Sequence, residues 1–86
     1  MPTVLLVHGW RFFFYANEGN EPMHIHCEKG DAECKYWLDP VRFDIEEEFE
    51  HNISPRLRRE VRQIIFEHFD EIVDAWQSWF GGEDAQ

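Results

Sequence analysis

Three stretches of the chain alternate apolar and polar residues, and a fourth repeats at helical spacing. Thr3 to His8 (TVLLVH) is short, apolar and rich in Val and Leu. Gly9 and Trp10 follow, then Arg11 to Ala16 (RFFFYA). Two β-rich runs joined at a glycine predict a hairpin. Asn17 to Pro22 (NEGNEP) reads as a loop from its Asn, Gly and Pro. Met23 to Glu28 then alternates, with Met23, Ile25 and Cys27 on one face and His24, His26 and Glu28 on the other. Ala32 to Leu38 does the same: Ala32, Cys34, Tyr36 and Leu38 oppose Glu33, Lys35 and Trp37. A two-residue turn at Gly30-Asp31 pairs Lys29 with Ala32 and sets the register. Cys27 then faces Cys34, Ile25 faces Tyr36 and Met23 faces Leu38. His26 lies beside Lys35, and His24 beside Trp37.

Asp39-Pro40 ends that strand. Val41, Phe43 and Ile45 alternate with Arg42 and Asp44, which suggests a short fifth strand, while Glu46 to Glu50 suits a strand or a helical turn. Ser54-Pro55 is an N-cap followed by proline at the first helical position, and Gly81-Gly82 is a stop. Between them Leu57, Val61, Ile65, His68, Ile72, Trp76 and Trp79 form a helical stripe. The expected fold class is α+β: a small antiparallel sheet of four or five strands with one long C-terminal helix packed on it. One domain over residues 1–82 and a short disordered tail at 83–86 account for the chain.

Composition changes this picture in two ways. Four Trp, two Tyr and eight Phe give an 86-residue chain enough bulk for a real core. The charge is acidic, with 18 Asp and Glu against 8 Lys and Arg. It is also uneven: residues 1–43 carry net −2 and residues 44–86 net −8. Such a surface repels phosphate, which disfavours direct contact with DNA or RNA and suits a basic protein partner. No stretch approaches the roughly 20 apolar residues of a membrane span. The N-terminus lacks the basic start of a signal peptide. A cytoplasmic location follows as the expectation; there Cys27 and Cys34, opposed closely enough for a disulfide, are expected as two reduced, buried thiols instead.

The motifs PTVLLVHGWRFFFYANE, HIHCEKG, ECKYWLDPV and a final helix ending WFGG come in order. Together they resemble the bacterial domain-of-unknown-function 4160 family over roughly residues 1 to 80. Arg11, Phe13, Tyr15, Asn17, Glu18, His24, His26, Glu33 and Lys35 match its pattern. Cys27 departs from it, since the family's usual strand has valine there. The resemblance implies a small bacterial protein, often encoded beside a second small protein in a layout like a toxin–antitoxin pair.

Two kinds of chemistry are open. On a strand, His24 and His26 point the same way, about 6 to 7 Å apart, and two imidazoles there can share a metal ion. Zinc needs three or four ligands, and the motif itself offers only Glu28 on the same face. The ordinary alternative is a polar strand face, with His24 against Trp37 and His26 near Lys35 and Glu33. A ribonuclease-like site would use His24, His26, Arg11, Lys35 and Glu33 around a phosphate, against the repulsion of the net charge. No motif calls for a cofactor.

The other kind is a docking surface. Phe66, Val73 and Phe80 flank the helix stripe and widen its apolar arc to about 200°, beyond what one buried face needs. Glu67, Asp70, Glu71 and Asp74 on the helix, with Glu46, Glu47 and Glu48 before it, form an acidic surface suited to a basic groove. The sequence thus favours a non-enzymatic binding protein that occludes a basic, nucleic-acid-handling partner. An antitoxin would fit, as would a phage-type defence inhibitor that mimics nucleic acid. A homodimer through the C-terminal helix is a further option for the apolar shoulder.

Overall fold

The computed structural model describes residues 3–81. Five strands form one antiparallel sheet in chain order: β1 (Thr3–Val7), β2 (Trp10–Phe13), β3 (His24–Lys29), β4 (Ala32–Asp39) and β5 (Asp44–His51). Two helices, α1 (Pro55–Glu67) and α2 (Phe69–Trp76), and a π-helical turn over Gln77–Gly81 complete it. The α+β class is as the sequence pattern predicts. The tail at 83–86 lies outside the described residues.

Local chemistry explains the turns. His8 and Gly9 both take positive φ, 52° and 83°, the mirror-image turn whose twist matches paired strands. The β3–β4 register is the expected one, with Cys27 opposite Cys34, Ile25 opposite Tyr36, His26 opposite Lys35 and His24 opposite Trp37. The fifth strand begins later than the alternation suggests. The Asp39 carboxylate accepts from the backbone N–H groups of Val41 and Arg42, each at 3.1 Å. That side-chain turn occupies Val41 to Phe43, so β5 starts at Asp44 and runs through the acidic segment to His51.

One face of the sheet carries Trp10, Phe12, Ile25, Cys27, Cys34, Tyr36, Leu38 and Ile45, buried together with Val61, Ile64, Ile65, Phe69, Ile72 and Trp76 from the helices. Each large side chain removed from water there contributes about 1.5–3 kcal/mol before the cost of ordering it. Ser54 Oγ accepts from Leu57 N–H at 3.1 Å and caps the helix start.

The long helix is interrupted at one residue, His68, with φ −114° and ψ 24°. The hydrogen-bond ladder crosses the break: His68 N–H donates to Ile64 O and Ile72 N–H to His68 O, both at 3.0 Å. The buried stripe runs through Phe69 rather than His68, whose ring turns out to Glu71. Trp79 is also outside it, at 52% exposed. Phe80 takes its place, half-buried against Phe14 and Trp76 with ring centroids 5.2 and 4.3 Å away. No described helix is long and apolar enough to cross a membrane.

Candidate functional site

The other face of β3 carries His24 and His26, and both are buried too. What covers them is the connection from β2 to β3. Phe14 leaves the sheet into the core, and the chain turns twice before β3 begins. Glu18 N–H donates to Tyr15 O at 3.2 Å, and Glu21 N–H to Glu18 O at 3.0 Å. These turns lay Glu18 over the two imidazoles. Phe80 holds the loop from outside: a Cβ on Gly19 would lie 2.6 Å from Phe80 Cδ1.

Glu18 Oε1 lies 2.8 Å from His24 Nε2, and Oε2 lies 3.0 Å from His26 Nε2. Tyr15 N–H also donates to Oε1, at 2.9 Å. His24 Nδ1–H donates to the Pro22 carbonyl at 2.9 Å, an assignment forced because a carbonyl only accepts. Nε2 is therefore the nitrogen aimed at Glu18. One ligand atom from each of Glu18, His24 and His26 lies within 4.8 Å of the other two. Exposures of the side chains are 12% for Glu18, 0% for His24 and 8% for His26.

Aromatic rings seal the rest. His26 stacks on Phe13 at 5.3 Å and meets the edge of Tyr15 at 4.9 Å. His24 sits against Trp37 at 5.4 Å and Trp76 at 4.9 Å. Burial alone would raise the Glu18 pKa. The hydrogen bonds from His24, Tyr15 and His26 outweigh it and hold the carboxyl at about 2.

Glu18 matches the family pattern, but strand alternation does not place it with the histidines; the structure does. Glu28, the acid sharing the histidines' strand face, is held by Arg11 at 3.0 Å. Glu18 takes the role from a loop. The signal was an acid six residues before His24, in the connection that leads into the histidine strand.

The remaining candidates spread outward. Lys35 stands opposite His26 in register, but its ammonium pairs with Glu21 at 3.2 Å and lies 4.5 Å from the Trp37 ring centre. Arg11 also donates to Thr3 and covers the Phe13 ring at 4.5 Å. Glu33 stands opposite Glu28, one row further along the sheet. So His24 and His26 come together, while Arg11, Lys35 and Glu33 are tied to other partners or rows.

The acidic candidates fall on two sides. Glu46, Glu47 and Glu48 are exposed on β5, the last strand of the sheet. Glu48 accepts from Trp37 Nε1–H at 2.7 Å. Glu47 and Glu50 face the helix, where Arg58 donates to Glu50 through Nε at 3.0 Å and through a second, shorter contact. Arg58 holds the Glu50 carboxyl below its ordinary value, whereas burial and then the neighbouring Glu50 raise that of Glu47. Glu67, Asp70, Glu71 and Asp74 are exposed on the helices. Phe66 is half-buried beneath Phe43, with ring centroids 5.4 Å apart, and Val73 packs on the core. The apolar shoulder of the helix is thus partly covered by the chain's own turn.

Residues 9–77, which include all three members of the buried group, match the family described as Domain of unknown function (DUF4160). The chain belongs to the DUF4160 family. No curated protein and no solved structure gave a match to it. Glu18 can accept protons or donate to a cation, and each histidine offers one Nε2 to the same small volume.

Proposed function

We propose that the protein acts by binding rather than by chemistry, occluding a basic, nucleic-acid-handling protein as an antitoxin or a phage-type inhibitor would. The observation that carries this reading is β5. It closes one edge of the sheet, and five of its eight residues are acidic: Asp44, Glu46, Glu47, Glu48 and Glu50. A terminal strand offers unpaired backbone N–H and C=O groups to an extended segment. Exposed carboxylates beside it favour a basic one. Glu46 and Glu48 lie on the Trp37 face of β5, turned away from Arg58 and Arg62. The helix acids Glu67, Asp70, Glu71 and Asp74 extend the negative field.

Charged side chains on an edge strand also prevent self-pairing, and the test must separate the two roles. A partner is first captured with tagged protein from nuclease-treated host lysate, then titrated against wild-type protein and against two multiple variants, at low and raised salt. Replacing Glu46, Glu47 and Glu48 with Gln, or the four helix acids with Asn or Gln, weakens binding at low salt and flattens its salt dependence. Replacing His24 and His26 with Ala leaves binding in place. Unchanged binding in both acid-neutralised variants sinks the proposal. Recovery of this chain alone replaces it with a homodimer through the helix.

The convergence of Glu18, His24 and His26 favours a second reading, a toxin-like ribonuclease or metal-dependent enzyme. That reading fails if the double His→Ala protein, shown to be folded, keeps its full biological effect.

A further inference from the structure

We infer that Glu18, His24 and His26 form a binding site for one divalent transition-metal ion of the zinc class. The inference is independent of whether β5 binds a partner.

Three features carry it. The first is convergence: the pairs that touch are 2.8 to 3.2 Å apart, and all three donor atoms fall within 4.8 Å of one another. Ligands on a tetrahedral zinc ion, bonded at about 2.0–2.2 Å, stand about 3.4 Å apart. To reach that spacing Glu18 would back away by a few tenths of an ångström, and the widest donor pair, now within 4.8 Å, would close around the ion. The second is orientation. His24 commits Nδ1–H to the Pro22 carbonyl, which is how ligating histidines are usually fixed, and this leaves Nε2 facing the centre. Trp37 and Trp76 hold the same ring in place. The third is cover. His24 is fully buried, His26 and Glu18 nearly so, so an ion would face few competing waters on the protein side.

The donor set selects the ion. Two imidazoles and one carboxylate suit Zn²⁺, Fe²⁺, Co²⁺ or Ni²⁺, whereas Mg²⁺ and Ca²⁺ prefer sets made wholly of oxygen. Three protein ligands leave one position for solvent or an incoming donor. Without an ion, Glu18 and the two rings satisfy one another through shared protons. The metal would take the place of those protons and tie the Tyr15–Pro22 loop to β3.

The test uses tag-free protein stripped with a chelator, titrated with Zn²⁺ by calorimetry and with Co²⁺ by visible absorption. One equivalent of Zn²⁺ binds, raises the thermal midpoint by several degrees and displaces Co²⁺ from a four-coordinate spectrum. Glu18→Gln and His26→Gln each lower the affinity at least about tenfold. The triple variant His8→Gln, His51→Gln, His68→Gln binds as the wild type does. The ring ¹⁵N resonances of His24 and His26 move on zinc addition while those of the other three histidines stay, a readout that needs no variant and survives a failure of either to fold. No saturable binding by folded wild-type protein overturns the inference. So does binding that Glu18→Gln leaves intact, or that the triple surface variant abolishes.

Discussion

The two faces of β3 are equally buried and are buried by different means. Ile25 and Cys27 lie under the helices, among Val61, Ile65 and Ile72. His24 and His26 lie under one loop and the end of α2, against Glu18 and four aromatic rings, Trp76 of α2 among them. The first face needs only volume and shape. The second puts ring nitrogens out of water, so each must find a partner or lose stability. An acid in the crossing loop supplies the partner. A strand can therefore be dry on both sides while only one side is apolar.

The contrast predicts a graded response to substitution. Truncation under the helices has the largest effect. Phe12→Ala or Ile65→Ala should lower unfolding free energy by about 3–5 and about 2–5 kcal/mol respectively, read by urea titration. Removal of the carboxylate comes next. Glu18→Ala leaves two buried imidazoles short of a partner and should cost about 1–3 kcal/mol. Its effect should not add to that of His26→Gln, because the two share one contact. A Glu18→Ala loss as small as that of an exposed acid would break the comparison.

Acid sharpens it further. The Glu18 carboxyl is held at about 2 against an ordinary value of 4.5. A lowered carboxylate contributes stability that is complete above about 4.5 and lost as pH falls toward about 2. The loss should be about 1–2 kcal/mol once solvent screening is allowed for. Glu18→Gln should flatten the stability curve over that window, whereas Ile65→Ala should lower it without changing its shape. The smallest effect belongs to β5: Glu46→Gln should change stability by no more than about 0.5 kcal/mol, whatever it does to partner binding.

These differences follow what the sequence made legible. The helix face of β3 and β4 could be read residue by residue, because period-two alternation and a Gly30 turn fix both register and side. The same logic placed His24 beside Trp37 and His26 beside Lys35. Glu18 could not be read that way, since loop residues have no period, and its position depends on two backbone turns. The start of β5 was hidden for a related reason. Val41 and Phe43 look like strand residues, yet Val41 is 92% exposed and Phe43 sits at φ +54°, because Asp39 ties up the turn. On the helix, spacing alone puts His68 and Trp79 in the stripe, where the structure has Phe69 and Phe80. Packing chose the phenylalanine in both cases, and His68 found Glu71 instead.

The strands pair in the order in which they occur along the chain, and this bears on the sequence of events during folding. The contacts of Glu18 with His24 and His26 span only six and eight positions, so a fragment little larger than a hairpin contains them. The bond from Trp10 Nε1 to Glu60 that fastens α1 to the sheet spans fifty. Short closures are the faster ones. The Glu18 contacts should therefore form before the helices dock, and the pulse-labelled amide of Tyr15, which donates to Glu18, should be protected before those of α1.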